Sequence, residues 1–118
     1  MATVEHTEQY KYEQERTRHL VDEARRAGVP EHTVGGLVRW IVYGINPGSF
    51  LTAFLSNDLM GALSQADEVN AEHFREIGSF VYNSVPSACH GSREKFEAWP
   101  ELLLKANEHM FGGLDKTT

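Results

Sequence analysis

The stretch Asn46-Pro47-Gly48-Ser49 combines residue types that suit contact with a phosphate group. Gly48 permits a ligand to approach the backbone closely, and Ser49 adds a hydroxyl. A helix that begins here would present unpaired backbone N–H groups, which bind anions. The same residues also form an ordinary helix start with Ser49 as the N-cap, so the pattern leaves a phosphate site and a simple helix start both open.

A second helix start of the same kind occurs at His90-Gly91-Ser92-Arg93. Ser92 is a favourable N-cap residue, and the guanidinium of Arg93 can make a bidentate contact to phosphate. Two such helix starts could serve two phosphates of one ligand.

Other polar and aromatic side chains near these stretches are candidates for the same site. Arg39 could approach the chain reversal at Gly44, or it could be a solvated surface charge. Asn57, with Asp58, interrupts the most apolar run, either as a helix cap or as a polar group presented to a pocket. Aromatic rings that could stack on a nucleobase or fill the core are those of Tyr43, Phe50, Tyr82 and Trp99.

The sequence gives little support for catalysis or for a metal. Cys89 and His90 are adjacent, and neighbouring side chains rarely point at each other as a nucleophile and its base must. No pair of histidines is spaced i and i+4 within a predicted helix, and no cysteine cluster or phosphate-loop glycine motif is present. We therefore predict a protein that is not an enzyme and has no cofactor. The histidines are His6, His19, His32, His73, His90 and His109.

The length and composition limit the class of protein. A chain of 118 residues suits one domain, 1–118, and a net charge of −6 argues against binding long nucleic acid. A small phosphorylated ligand remains compatible with this charge, because it needs only one local site.

The cysteine count and the apolar runs indicate where the protein works. Cys89 is a single cysteine, which indicates a reducing, cytoplasmic location, and no apolar run approaches the roughly 18 residues of a membrane helix. The sequence thus predicts no membrane partner.

Apolar residues recur at helical spacing between the four prolines, and no segment alternates with period two, which predicts an all-α fold of about five to six helices. Pro100 is predicted to kink or split the last helix, which would end at Gly112-Gly113 and leave 113–118 as a flexible tail. The predicted helices span about 5–27, 31–43, 49–55, 58–66, 67–85 and 92–112.

The first helix is polar around most of its circumference. Its thin apolar stripe includes Leu20, Val21 and Ala24, which would pack only weakly on the chain's own core. We therefore interpret 1–27 as a peripheral helix that docks on another subunit, and we predict a homo-oligomer.

Two segments resemble a family of small phage and prophage proteins. The residues GINPGSFLTAFLSNDLMGALSQAD match the pattern GIxPGxFLxAxLxNDLxxAxxxAD, and YNSVPSACHGSREKFEAW matches YNxxPSxCxGSxExxxxW. The resemblance covers residues 36–99, over half of the chain. Asn46 and His90 stand where this family often has Pro and Trp, and Arg93 stands where Pro is common.

The resemblance implies an immune-evasion protein that binds and sequesters a cyclic-nucleotide signal of bacterial defence without cleaving it. In that case the break after Tyr43 forms a binding loop, and Asn57 with Asp58 fixes the geometry behind it. The replacement of an aromatic by His90 would alter the base preference. One alternative is a phage module that inhibits a host or defence protein by direct binding, with an exposed apolar patch as its mark. Another is a small enzyme that acts through Cys89 or His90.

Overall fold

The computed structural model describes residues 8–116, and side chains for residues 8–112. This part of the chain forms seven α-helices and one 3-10 helix, with no strand, which confirms the all-α prediction. The predicted start of the first helix near residue 5 and the last two residues of the predicted tail lie outside this range. The helices are α1 (Glu8–Ala27), α2 (Glu31–Tyr43), α3 (Ser49–Leu55), α4 (Leu59–Gln65), α5 (Glu68–Glu72), α6 (Phe74–Ser84), the 3-10 helix (Ser87–Cys89) and α7 (Arg93–Lys116).

Helix α2 lies at the centre of the core. Seven of its 13 residues are buried, including Leu37 and Ile41, because its apolar positions recur at three and four residues. Trp40 stacks on Phe96 of α7 with ring centroids 4.2 Å apart. Gly44 ends the helix in a left-handed conformation (φ 70°), which glycine adopts without steric cost. The helix boundaries match the predicted span.

Helix α1 contributes to the same core. Leu20 is 1% exposed and Ala24 is 0% exposed, and both belong to the cluster that α2 and α6 help to form. The rest of the helix is polar and largely solvated. Leu20 and Ala24 of the apolar stripe are therefore covered within one chain, so these two side chains do not need a second subunit to be buried.

The predicted helix 67–85 is divided into α5 and α6 at His73. The backbone of His73 leaves the helical region (φ −112°, ψ 23°), and its ring Nδ1 lies 2.9 Å from the carbonyl oxygen of Val69. Asp67 caps α5 by accepting a hydrogen bond from Asn70 N–H at 2.7 Å. This division accounts for the count of seven α-helices in residues 8–116, where about five to six were predicted.

Helix α7 is longer than predicted, since it passes through both expected breaks. Pro100 lies inside the helix, which neither splits there nor ends at Gly112-Gly113 but continues to Lys116. The Pro100 backbone packs close to Gly44, where a Cβ would lie 3.3 Å from the Pro100 Cα. Tertiary packing at this point favours a continuous helix despite the lost hydrogen bond.

Within residues 8–116, no helix combines the length and the apolar character needed to cross a membrane.

Candidate functional site

A surface groove of about 460 Å³ brings the two predicted helix starts together. Asn46, Gly48 and Ser49 from the start of α3 line one part of it, and Arg93 from the start of α7 lines another. The groove has the size of a typical small-molecule site, and it is open to solvent. We call it the Arg93 groove. Its remaining lining residues are Thr52, Ala53, Asp58, Gly61 and Gln65.

The turn before α3 differs from the prediction in its capping. Ser49 is the first residue of the helix rather than its N-cap, and Gly48 occupies the cap position with φ 95°. Asn46 Oδ1 accepts a hydrogen bond from Gly48 N–H at 2.9 Å, so this N–H is already engaged. The amide nitrogen of Asn46 and the hydroxyl of Ser49 are the side-chain groups that this turn offers to a ligand in the groove.

The Arg93 guanidinium is only weakly held by the protein. Its Nη1 lies 3.5 Å from Glu97 Oε2, and both side chains are more than 60% exposed. An exposed i,i+4 pair of this kind contributes little free energy, so an anion in the groove competes with Glu97 easily. Ser92 Oγ accepts a hydrogen bond from Lys95 N–H at 3.1 Å, which confirms Ser92 as the N-cap of α7. The cap fixes where α7 begins, and Arg93 is therefore the first residue of the helix.

Asp58 adds a carboxylate to the lining of the groove. Its Oδ1 accepts a hydrogen bond from Gly61 N–H at 3.0 Å, which caps α4 as predicted for the Asn57-Asp58 break. The carboxylate has further acceptor capacity for hydroxyl or amino groups of a ligand. The groove thus contains a cationic side chain, a carboxylate, and amide and hydroxyl groups.

Arg39 and Asn57 do not line the Arg93 groove. Arg39 lines a separate cavity of about 260 Å³ beside α2, which shares Gly48 and Ser49 with the groove. Asn57 has a left-handed backbone (φ 63°) and lines a small cavity of about 100 Å³ next to Phe54. Residues that were predicted to share one site therefore line three neighbouring cavities.

Tyr43 and His90 lie apart from these cavities. The Tyr43 hydroxyl accepts a hydrogen bond from Gln14 Nε2 at 3.3 Å, which holds the ring against α1. His90 is partly buried, and burial lowers the pKa of its imidazole, so the ring is mostly neutral at pH 7. A neutral imidazole is a weaker partner for phosphate than a cation.

Cys89 is unsuited to be a nucleophile. The residue is 0% exposed, and its Sγ donates to the carbonyl oxygen of Pro86 at 3.1 Å. Burial raises the pKa of the thiol to about 12, so the reactive thiolate is absent at neutral pH. Among the residues with described side chains, no group of three His, Cys, Asp or Glu residues could hold a metal ion.

Sequence reasoning missed Thr52 and Gln65 as lining residues of the groove. Ser49, Thr52 and Ala53 are spaced at three and four residues, which places them on one face of α3. Gln65 comes from the far end of α4, so its position depends on how α3 and α4 pack. The helical spacing could have indicated Thr52, but no local signal indicates Gln65.

In comparisons with known proteins, no family model, curated protein or solved structure matches the chain.

Proposed function

We propose that this protein binds a small phosphorylated ligand of the nucleotide class in the Arg93 groove and does not cleave it. The observation that carries the proposal is the convergence of Asn46, Ser49 and Arg93 on one groove, although Arg93 is distant from the other two in the sequence. Arg93 supplies the positive charge for a phosphate, and the Asn46 amide and Ser49 hydroxyl add hydrogen bonds.

The remaining wall of the groove supports a nucleotide rather than inorganic phosphate. Asp58 repels a phosphate, but its carboxylate can accept hydrogen bonds from ribose hydroxyls or a base amino group. Gln65 and Thr52, which also line the groove, provide further donors and acceptors. A ligand with an anionic part and a neutral polar part therefore fits this charge distribution better than a bare anion.

The cyclic-nucleotide class and the immune-evasion role follow from the resemblance of residues 36–99 to the phage family. Sequestration without cleavage agrees with the unreactive Cys89, whose thiol is buried and protonated at neutral pH. The proposal includes a cytoplasmic location, in the host cell if the protein is phage-encoded, and a homo-oligomer. Light scattering at several protein concentrations tests the oligomer directly.

A thermal-shift screen with cyclic di- and trinucleotides, cyclic AMP, linear nucleotides and inorganic phosphate tests the proposal. A ligand at 100 times its Kd adds about 2.7 kcal/mol of stability, which raises the Tm by several degrees. Arg93→Gln should remove most of this shift, whereas Arg18→Gln, an exposed arginine of α1, should leave it unchanged. Recovery of the ligand intact supports sequestration, and recovery of a cleaved product contradicts it.

A protein-binding function is the second candidate, and the exposed apolar side chains of α4 favour it. Leu59, Met60 and Leu63 are 60%, 73% and 46% exposed. This is the apolar surface expected for an inhibitor that acts by direct contact. If Met60→Lys abolishes the anti-defence effect in cells while Arg93→Gln leaves it intact, this second function replaces the first.

A further inference from the structure

A second cavity lies on the other side of the loop that forms the Arg93 groove. It has a volume of about 260 Å³, and we call it the Arg39 cavity. Gly48 and Ser49 line both spaces, so the loop between α2 and α3 forms a shared wall. The residues around the Arg39 cavity are His32, Thr33, Gly36, Arg39, Pro47, Gly48, Ser49, Phe50, Leu51 and Asn70.

The two spaces lie on different faces of α3. Thr52 and Ala53 line only the Arg93 groove, Phe50 and Leu51 line only the Arg39 cavity, and Ser49 lines both. Successive helical residues are rotated by about 100°, so these two sets point in clearly different directions. Each space therefore has its own arginine, and the start of α3 stands between them.

The sequence of α2 makes room for the Arg39 guanidinium. A Cβ at Gly35 would lie 2.9 Å from Arg39 Nη1, so the arginine folds back over a position that has no side chain. Gly35 lies inside a helix, where glycine costs about 1 kcal/mol relative to alanine. The three heavy atoms nearest to that Cβ position all belong to Arg39, so the absence of a side chain at Gly35 is associated with the placement of the arginine.

Arg39 also lacks a protein counter-ion. Within the part of the chain whose side chains are described, no carboxylate lies within 4.0 Å of its guanidinium, whereas Arg25 and Arg93 each have one. The side chain is exposed and lines the cavity. An arginine that is positioned at an energetic cost and has no acidic partner is available for an anionic ligand.

We propose that the ligand carries two separated anionic groups, one bound by Arg93 in the groove and one by Arg39 in the cavity, with the Gly48-Ser49 loop between them. This inference rests on the proposed function and specifies its ligand. Anions on opposite sides of a backbone are more than about 4.8 Å apart, the spacing of neighbouring strands. Adjacent phosphates of a diphosphate share an oxygen and are too close, whereas two phosphodiester groups separated by sugars meet the requirement.

Calorimetry with three probes separates these ligand classes. Cyclic di-AMP has two separated phosphodiesters, ADP has two adjacent phosphates and cyclic AMP has one. We expect cyclic di-AMP to bind most tightly, and Arg39→Gln and Arg93→Gln each to weaken it about 10- to 100-fold, the range for one charge-assisted hydrogen-bonded contact. Arg93→Gln should also weaken cyclic AMP, but Arg39→Gln should not. Arg18→Gln is the matched control and should change neither affinity.

The outcomes distinguish the two proposals. The two-anion inference is wrong if Arg93→Gln weakens the probes but Arg39→Gln changes none of them. It is also wrong if ADP or cyclic AMP binds as tightly as cyclic di-AMP. In either case the proposal that the ligand binds in the Arg93 groove is unaffected. If no probe binds the native protein, or if Arg93→Gln has no effect on any probe, the proposed function fails as well. Circular dichroism of each variant confirms that the comparison is made between folded proteins.

Discussion

Trp99 donates a hydrogen bond from its indole Nε1 to the carbonyl oxygen of Trp40 at 2.9 Å, which ties α7 to the last turn of α2. The Trp40 carbonyl also accepts from Gly44 N–H at 3.0 Å. The Trp99 ring therefore has a structural role close to the chain reversal, and it packs against the core rather than standing free to stack on a base.

Trp99→Phe should lower the free energy of unfolding by about 1 to 2 kcal/mol, since it removes one hydrogen bond and part of a packed ring. The loss stays moderate because Gly44 N–H still satisfies the Trp40 carbonyl. Urea denaturation measures the change, and Tyr82→Phe, at a ring that is 84% exposed, should give none. An unchanged stability combined with a lost affinity for the nucleotide probes would instead identify Trp99 as a ligand contact.

Leu20→Ala should cost about 2 to 5 kcal/mol of stability, because it leaves a cavity in the core of a single chain. The side chain is 1% exposed in the absence of any partner chain. We expect light scattering to give the same mass for the variant and the native protein. The matched change Glu15→Ala, on the exposed face of α1, should shift stability by less than about 0.5 kcal/mol. A reduced mass with unchanged stability of the subunit would restore the interface interpretation of this stripe.

Cys89 should resist alkylation by iodoacetamide in the native protein at pH 8 and react once the protein is unfolded. Burial raises the pKa of the thiol from 9.0 to about 12 in the folded state. The stability that comes from keeping this thiol protonated is therefore complete below pH 9 and is lost as the pH rises from 9 towards 12. Cys89→Ala should flatten that part of the stability profile. Rapid labelling of the folded protein would support the alternative that the protein is a small enzyme acting through Cys89.

Local signals in the sequence account for much of the fold. Asp58, Asp67 and Ser92 each cap a helix through a side-chain oxygen, and short-range chemistry of this kind is readable from residue type and position. The boundaries of α2 follow from its apolar spacing and from Pro30 and Gly44. These features depend on neighbours within four residues, so no tertiary information is needed to predict them.

The errors arise where distant contacts override local preference. Pro100 is a strong helix breaker in isolation, yet α7 continues through it because Trp99 and Gly44 fix the helix on α2. Leu20 belongs to a weak apolar stripe, and only the packing of α2 and α6 around it makes that stripe part of the core.

The candidate site could be predicted only in part, because its geometry also depends on contacts between distant residues. The sequence identified Arg39 and Arg93 as possible anion contacts, but their separation into two spaces depends on how the loop before α3 passes between them. Gly35 carried a usable signal, since a glycine inside a helix needs a packing or functional reason. The position of the Arg39 guanidinium over Gly35 supplies a reason of this kind, and it depends on the folded structure.

Gly35→Ala should raise the free energy of unfolding by about 0.5 to 1 kcal/mol through helix propensity, and yet weaken cyclic di-AMP binding. The new methyl group displaces the Arg39 guanidinium, which is the flexible end of a side chain and moves at little cost. Gly78→Ala in α6 is the matched control, because its Cβ would make an ordinary 3.8 Å contact with Phe54 Cζ. It should give a similar gain in stability without any loss of affinity. Equal affinities for the two variants would show that the position of Arg39 does not serve binding.

Gly48→Ala tests the loop between the two spaces. Gly48 has φ 95° and ψ 171°, a region that residues with a Cβ avoid, so alanine should cost about 1 to 3 kcal/mol of stability. Nothing lies within 4 Å of the added Cβ, which therefore projects into open space at the shared wall and crowds a ligand there. We expect a clear loss of affinity for cyclic di-AMP in addition to the lower stability.

Gly28→Ala is the control that separates the effect of backbone strain from the crowding of the ligand. Gly28 also has a positive φ, 90°, but it lies between α1 and α2, outside both the Arg93 groove and the Arg39 cavity. It should lose stability to a comparable extent, with the added Cβ 3.0 Å from Glu76 Cγ, and keep its affinity. Thermal unfolding and calorimetry on both variants, below the Tm of the weaker one, give the two quantities independently. A folded Gly48→Ala protein that binds as tightly as Gly28→Ala would show that the Pro47-Gly48-Ser49 turn is simply the start of α3 and contributes nothing to ligand recognition.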